Sequence, residues 1–274
     1  MRTARLGLIS GIVLASLSLP AAHAALVAHW AFDESPGATV AQDSVGGING
    51  TLVNNAAFVA GGISGDAVQF SSATNDYITM GNHFGFTSGS FTVVAWIKTT
   101  STNFEVEVSK HHSNSPDGYY LATNHDPAFN YGALNKSWFY DSTSASGVAI
   151  STKTINDGAW HQVVGVYTAG STISHYVDGV FQSSNTATTI VANDAPFMIG
   201  GYLLNATSSP TGQYNGLVDD VQLYDTALTQ SQISQLFQTP GSVVPEPASL
   251  ALFALPVLAI LTRRRSLRLA SPQA

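Results

Sequence analysis

The chain contains no cysteine in its 274 residues. That excludes a disulfide framework, a thiolate nucleophile and a cysteine-ligated metal. Charge is sparse as well: Asp, Glu, Lys and Arg together make up 10% of the chain, against about a quarter in an average soluble domain. Cations are scarcest in the middle. The six arginines are Arg2, Arg5, Arg263, Arg264, Arg265 and Arg268, all near the two ends. Between residues 25 and 244 the only cations are Lys98, Lys110, Lys136 and Lys153, which against 16 acidic residues leave a net charge of −12. Such a body repels phosphate backbones and excludes a nucleic-acid partner, while divalent cations and neutral polymers suit it better. No Gly-rich phosphate loop opens a helix, which excludes a nucleotide-binding α/β fold. Zinc-type Cys/His spacing is missing too, and "KHHS" from Lys110 reads as a solvated loop.

The ends differ from the body. Arg2 and Arg5 precede an apolar stretch, Leu6 to Leu19, followed by the small-x-small set Ala22, His23, Ala24. This is the pattern of a secretory signal peptide, residues 1–24, with cleavage expected after Ala24. Near the other end, "VPEP" leads into an uncharged run of 14 residues, Ala248 to Leu261, and then the arginine cluster. As a helix that run is about 21 Å long, short against a bilayer core of about 30 Å, and Pro256 interrupts it. The arginines mark a cytoplasmic flank and leave the body outside. The tail, residues 241–274, resembles the PEP-CTERM sorting signal of Gram-negative bacteria through Pro245, Glu246 and Pro247, the apolar helix, and Arg263, Arg264 and Arg265. That resemblance implies transient anchoring in the inner membrane, processing by an exosortase, and delivery to the cell surface or extracellular matrix.

Between the ends, period-2 patterning dominates. "FTVVAWIKTT" from Phe91 and "FEVEV" from Phe104 read as strands, and "WHQVVGVYTAGSTISHYVDGVFQSS" reads as three strands, the last two joined by a tight turn at Asp178-Gly179. Thr229 with Gln232 three residues on forms a capping box, and Ile233, Leu236 and Phe237 share one face of a short helix over Thr229–Gln238. Many strands, Gly-rich turns and one helix predict an all-β fold, a two-sheet antiparallel jelly-roll sandwich over residues 25–240. Trp30, Trp96 and Trp160 are expected in its core. The segments "VAHWAFDE", "DSVGGINGTL", "GISGDAVQFSSATNDYITM", "SFTVVAWIKT", "DGAWHQVVGVY", "HYVDGV", "FMIGG" and "GLVDDVQLYDTALTQSQISQLF" run in the order of the laminin-G-like, or concanavalin A-like, lectin/glucanase superfamily, which this body resembles.

That sandwich hosts lectins, glycosidases and plain adhesion domains, so function has to come from sites. The resemblance implies a structural Ca²⁺ at the rim, carried by Asp43 with Asp219 or Asp220, and less directly by Asp33 and the carbonyls near Gly46 and Asn49. The alternative is that Asp43 caps a turn and Asp219–Asp220 mark a bulge. Glu105 and Glu107 fall on one strand face about 7 Å apart, like the carboxylate pair of concanavalin-like endo-glucanases. However, the third acidic position of that signature falls on Lys110, so a polar face in solvent is the stronger reading and no catalytic residue is assigned. Tyr119, Tyr120, Tyr131, Trp138 and Tyr140 lie among Asn and Asp residues; Tyr119, Tyr131, Trp138 and Tyr140 are the candidate sugar-stacking rings, with Trp138 and Tyr140 on one strand face and Phe139 on the other. The functional expectation is an exported, non-enzymatic surface or matrix protein with a structural, adhesive or exopolysaccharide-associated role. The alternatives are a carbohydrate-binding lectin-like module and, more distantly, a glycoside hydrolase acting through Glu105 and Glu107.

Overall fold

The computed structural model describes residues 25–112, 115–127, 130–141, 147–204 and 209–244. The expected signal peptide and the sorting tail from Pro245 onward lie outside these residues. Among the described residues no helix is long and apolar enough to cross a membrane.

The body is the expected antiparallel sandwich. In the first sheet the order is Val180–Thr186, Thr172–Val177, His161–Thr168, Phe91–Lys98, Gly216–Tyr224, Asp66–Phe70 and Ala57–Ala60, with Leu26–Trp30 also paired to Gly216–Tyr224. In the second the order is Val148–Thr154, Lys136–Tyr140, Ser115–Thr123, Glu105–His112, Met198–Ile199, Tyr77–Thr79, Gly50–Val53 and Val40–Ala41. The short strands Tyr202–Leu203 and Pro210–Thr211 flank Glu105–His112. The first long strand therefore pairs with the last, which closes the body on itself. Contacts continue slightly past the expected boundary at residue 240: Gln222 Nε2 donates to the Ser242 carbonyl at 2.8 Å, the Val244 amide donates to the Tyr224 hydroxyl at 3.2 Å, and Val244 is buried.

Strand Phe91–Lys98 shows why these sequences become central strands. Its alternate residues Phe91, Val93, Ala95 and Ile97 enter the core between the sheets, while Val94 faces a second apolar layer outside the first sheet. Helix Gln230–Gln238 supplies that layer. Ile233 and Leu236 cover Val94, Val164, Val166 and Tyr224, and Phe237 stacks on Trp96 at 5.6 Å. The helix begins where the capping box predicted: Thr229 accepts from the Gln232 amide, and the Gln232 side chain accepts from the Thr229 amide at 2.8 Å. The Asp178-Gly179 turn also forms, with both residues at positive φ, 51° and 72°. Trp30 and Trp96 are buried as expected, but Trp160, just before strand His161–Thr168, is only half-buried.

The second sheet departs from simple alternation near the start of strand Glu105–His112. Val106 pairs with Ala122 but Val108 pairs with Leu121, so strand Glu105–His112 carries a bulge between them. Val106 consequently lies on the outer face with Tyr120 and Ala122, and Val108 on the inner face with Tyr119 and Leu121. This strand also continues through the His pair expected in a solvated loop. Lys110 is 1% exposed, and its ammonium donates to Asn82 Oδ1 at 2.7 Å, to Asn193 Oδ1 at 3.1 Å and to the Ala195 carbonyl.

Candidate functional site

The outer face of the second sheet carries an aromatic cluster assembled from four strands. Tyr120 stacks on Tyr140 at 4.7 Å and on Tyr202 at 5.9 Å, while Phe104 stacks on Trp138 at 6.0 Å. Tyr131 meets both Trp138 and Tyr140, and His111 meets Tyr120, Tyr140 and Tyr202. Asn124 fixes the loop over this layer. Its φ is 63°, its amide side chain donates to the carbonyls of Ser101 and Asn103, its Oδ1 accepts from the Asn135 amide, and its carbonyl accepts from Trp138 Nε1 at 2.7 Å. Asparagine tolerates this left-handed backbone because its short side chain bonds the chain locally.

Beside the cluster opens a cleft of about 710 Å³ whose walls include Phe104, Tyr202, Leu134, Leu204, His125 and Gln213. Leu134 and Leu204 are 59% and 44% exposed at its mouth. Polar backbone and amide groups at Asn103, Asp126 and Gly212 complete the lining. Its size and its mixture of apolar faces with a few polar groups suit a small ligand or a segment of a polymer.

The structure redistributes the expected rings. Tyr119 is excluded from any outer site: it lies wholly in the inter-sheet core with its hydroxyl donating to the Phe84 carbonyl at 2.9 Å. Trp138 and Tyr140 share the outer face as their spacing predicted, with Phe139 inward, but both are buried and form the floor of the aromatic layer. Tyr131 is half-buried at its edge. The rings that line the cleft are Phe104, half-buried, and Tyr202, which is as buried as Tyr140 and meets the cleft only at its edge. Neither is signalled by a motif; Tyr202 arrives from a strand nearly a hundred residues away.

Glu105 and Glu107 are not on a polar face in solvent. Glu105 pairs across the ladder with buried Thr123, and both carboxyl groups turn inward, where they are 1% and 0% exposed. Ordinary alternation keeps both on one face, and the bulge brings Val108 onto that inner face as well. Burial pushes the Glu105 carboxyl up to about 7 and raises Glu107 well above the carboxylate range. Glu105 touches the cleft wall, but Glu107 is sealed behind it and cannot reach a glycosidic bond.

The three aspartates expected to hold calcium are all aimed at N–H groups. Asp43 Oδ1 accepts from the His29 and Val45 amides and Oδ2 from the Ile48 amide, each at 3.0 Å. Asp219 Oδ2 accepts from the Ile63 and Ser64 amides at 2.8 and 3.2 Å, and its Oδ1 from the Asp220 amide at 2.7 Å. Asp220 meets His29 Nε2 at 2.7 Å, Gln222 Nε2 at 2.9 Å and the Gly241 amide at 3.1 Å. Asp43 thus caps its turn, and Asp219–Asp220 sit at a bulge opposite strand Phe91–Lys98, with Asp220 at φ 47°. These oxygens are committed to N–H donors, and among the described residues no group of three or more His, Asp or Glu side chains converges on a common point. Asp33, the weaker candidate, accepts from the Asp66 amide at 2.8 Å.

Fold and site together define a two-sheet β-sandwich with an aromatic outer cleft. Residues 72–234 match the model of the laminin-G-like family described as the concanavalin A-like lectin/glucanases superfamily, and the chain belongs to that superfamily. Among solved structures, it is similar to domain 4 of AbnA, a GH43 extracellular arabinanase from Geobacillus stearothermophilus in complex with arabinotriose, at 20% identity and a TM-score of 0.58, covering 79% of this chain and all of that one. It is also similar to the binding domain of Paraclostridial mosquitocidal protein 1 (16% identity, TM-score 0.58, 77% of this chain and 51% of that one) and to the botulinum neurotoxin serotype D binding domain (12%, 0.55, 78% and 52%). The chain therefore spans about half the length of those toxin domains. At these identities the likeness is one of fold. No curated protein matches the chain.

Proposed function

We propose that the body is a non-catalytic carbohydrate-binding module that takes a segment of a neutral polysaccharide in the cleft walled by Phe104 and Tyr202. The observation that carries this reading is the cleft itself: aromatic faces and exposed Leu134 and Leu204 beside the polar groups of Asn103, His125 and Gln213. Sugar rings offer apolar C–H faces and hydroxyl edges, and such a lining meets both. The net charge of −12 disfavours anionic polymers. The arabinotriose complex of the similar arabinanase domain is consistent with a sugar ligand on this sandwich. The sealed position of Glu107 supports a module that binds without cleaving.

The exported, exosortase-sorted reading of the two ends places this module at the cell surface or in the extracellular matrix, where it holds exopolysaccharide. The test is a glycan array with residues 25–244, followed by titration of Phe104→Ala and Tyr202→Ala. Each variant should weaken a positive sugar about two- to twelvefold, from about 0.5–1.5 kcal/mol per stacked ring. Release of reducing sugar from any bound polysaccharide would overturn the non-catalytic reading. An array with no positive sugar would leave the structural and adhesive role.

A further inference from the structure

Behind the cleft wall lies a set of polar side chains with nothing to bond. Both carboxyl oxygens of Glu105, both of Glu107, the Thr123 hydroxyl and the Tyr214 hydroxyl are buried and lack any hydrogen-bond partner. The four residues are 1%, 0%, 0% and 0% exposed. They belong to one place. Glu105 stands opposite Thr123 in the ladder, Glu107 lies beside Thr123 and within electrostatic reach of Glu105, and Tyr214 feels both carboxyl groups. Ser101 and the Asn215 backbone stand within hydrogen-bonding reach of Glu105, Thr123 of Glu107, and Thr99 and the Lys98 backbone of Tyr214, but none of them closes a hydrogen bond of good geometry. Among the groups acting on the two carboxyls there is no basic side chain.

A buried carboxylate without a partner is costly, and two together are costlier still. Protonating both would remove the charge. Protonation alone would leave the oxygens of the set without a hydrogen bond of good geometry, although hydroxyl and backbone groups stand close by. One hard cation answers every oxygen at once. The donor set is all oxygen, with two carboxylates able to bind through one or both atoms and two hydroxyls, and Glu105 at the cleft wall gives a path of entry. We propose that Glu105, Glu107, Thr123 and Tyr214 form a buried site for a divalent cation of the Ca²⁺ class, completed by water from the cleft. This site is distinct from the Asp43, Asp219 and Asp220 carboxylates, whose oxygens are taken by N–H groups, and it stands independently of the glycan reading.

The experiment is Ca²⁺ titration of the chelator-stripped body, residues 25–244, by calorimetry, with thermal melting in calcium and in EDTA and with Tb³⁺ luminescence sensitised by tyrosine. The expected result is one equivalent per chain, a melting temperature raised by calcium, and Tb³⁺ emission displaced by Ca²⁺. Glu107→Gln should abolish the calcium dependence, and Thr123→Val, which keeps the shape of the side chain, should weaken binding at least about tenfold. Asp220→Asn should leave binding unchanged. If Glu107→Gln fails to fold, the wild-type chelator arm and Thr123→Val still decide. Identical melting in calcium and EDTA with no heat of binding would overturn the site, as would calcium binding that survives Glu107→Gln and disappears in Asp220→Asn.

Discussion

His175 stands in strand Thr172–Val177 with no solvent exposure, and its Nδ1 donates to the Val164 carbonyl at 3.0 Å. Burial pushes its imidazole down to about 3. The unfolded chain takes up this proton near 6.5 and the folded one does not until about 3, so this residue's contribution to stability is present above 6.5 and is lost as pH falls through that window. Asp141 acts in the opposite sense. Burial raises its carboxyl from the ordinary 3.8 to about 7, only partly offset by the Thr188 amide that donates to it at 2.7 Å. Its contribution is present below 3.8 and is lost as pH rises through 7. Denaturant unfolding from pH 4 to 8 should therefore show His175→Asn losing up to about 1.4 kcal/mol of slope per pH unit on the acid side. Asp141→Asn should come nearest to wild type at pH 4 and exceed it increasingly towards pH 8. Parallel pH profiles for all three proteins would refute both assignments. Spacing puts His175 on one strand face with Ile173 and Val177, and the packing of the second sheet over that inner face is what hides it.

Helix Gln230–Gln238 and the sheet face it covers were largely legible at the scale of elements. The capping box located the start of the helix to the residue, and the Ile233, Leu236, Phe237 stripe gave the buried face. Thr229→Ala should cost about 1 kcal/mol by removing the cap, and Ile233→Ala about 2–5 kcal/mol by opening a cavity under the helix; urea unfolding measures both. Where the two sheets meet, Gly165 leaves room for the Phe139 ring, since a Cβ at that position would lie 2.3 Å from it. Gly165→Ala should destabilise by about 1–3 kcal/mol through overpacking, and an unchanged midpoint would show that the ring moves freely. The bulge in Glu105–His112 was not legible. Clean alternation in "FEVEV" put Val106 and Val108 on one face, and only the partner strand, with the Gly200 amide bound to the Glu107 carbonyl at 2.9 Å, decides where the extra residue goes.

For the whole molecule, the expected maturation has a direct readout. Secreted protein should begin at Ala25, and surface-released protein should end at or near Pro245-Glu246-Pro247; mass spectrometry of both termini checks this. Glu246→Ala should leave an uncut, membrane-bound form in a host carrying exosortase. Released protein that retains Leu250 to Arg268 would make the tail a plain anchor instead. Val244, the last described residue, is buried against the body through Tyr224, so the motif follows in sequence directly from the packed domain.

Periodicity, turn chemistry and the cap are local, and they were enough to determine the all-β class, the Asp178-Gly179 hairpin, the terminal helix and the split of Trp138 and Tyr140 from Phe139. Each depends on residues within a few positions of one another, where backbone preference and side-chain alternation act. The site depends on residues brought together across the chain. Phe104 and Tyr202 share a cleft, Asp220 meets His29 rather than a cation, and Glu107 points into the interior, because strand order places them there. Tertiary structure alone decided which of the expected rings are exposed and which carboxylates are left unpaired, since burial and hydrogen-bond partners are properties of packed surfaces and not of neighbouring residues in the chain.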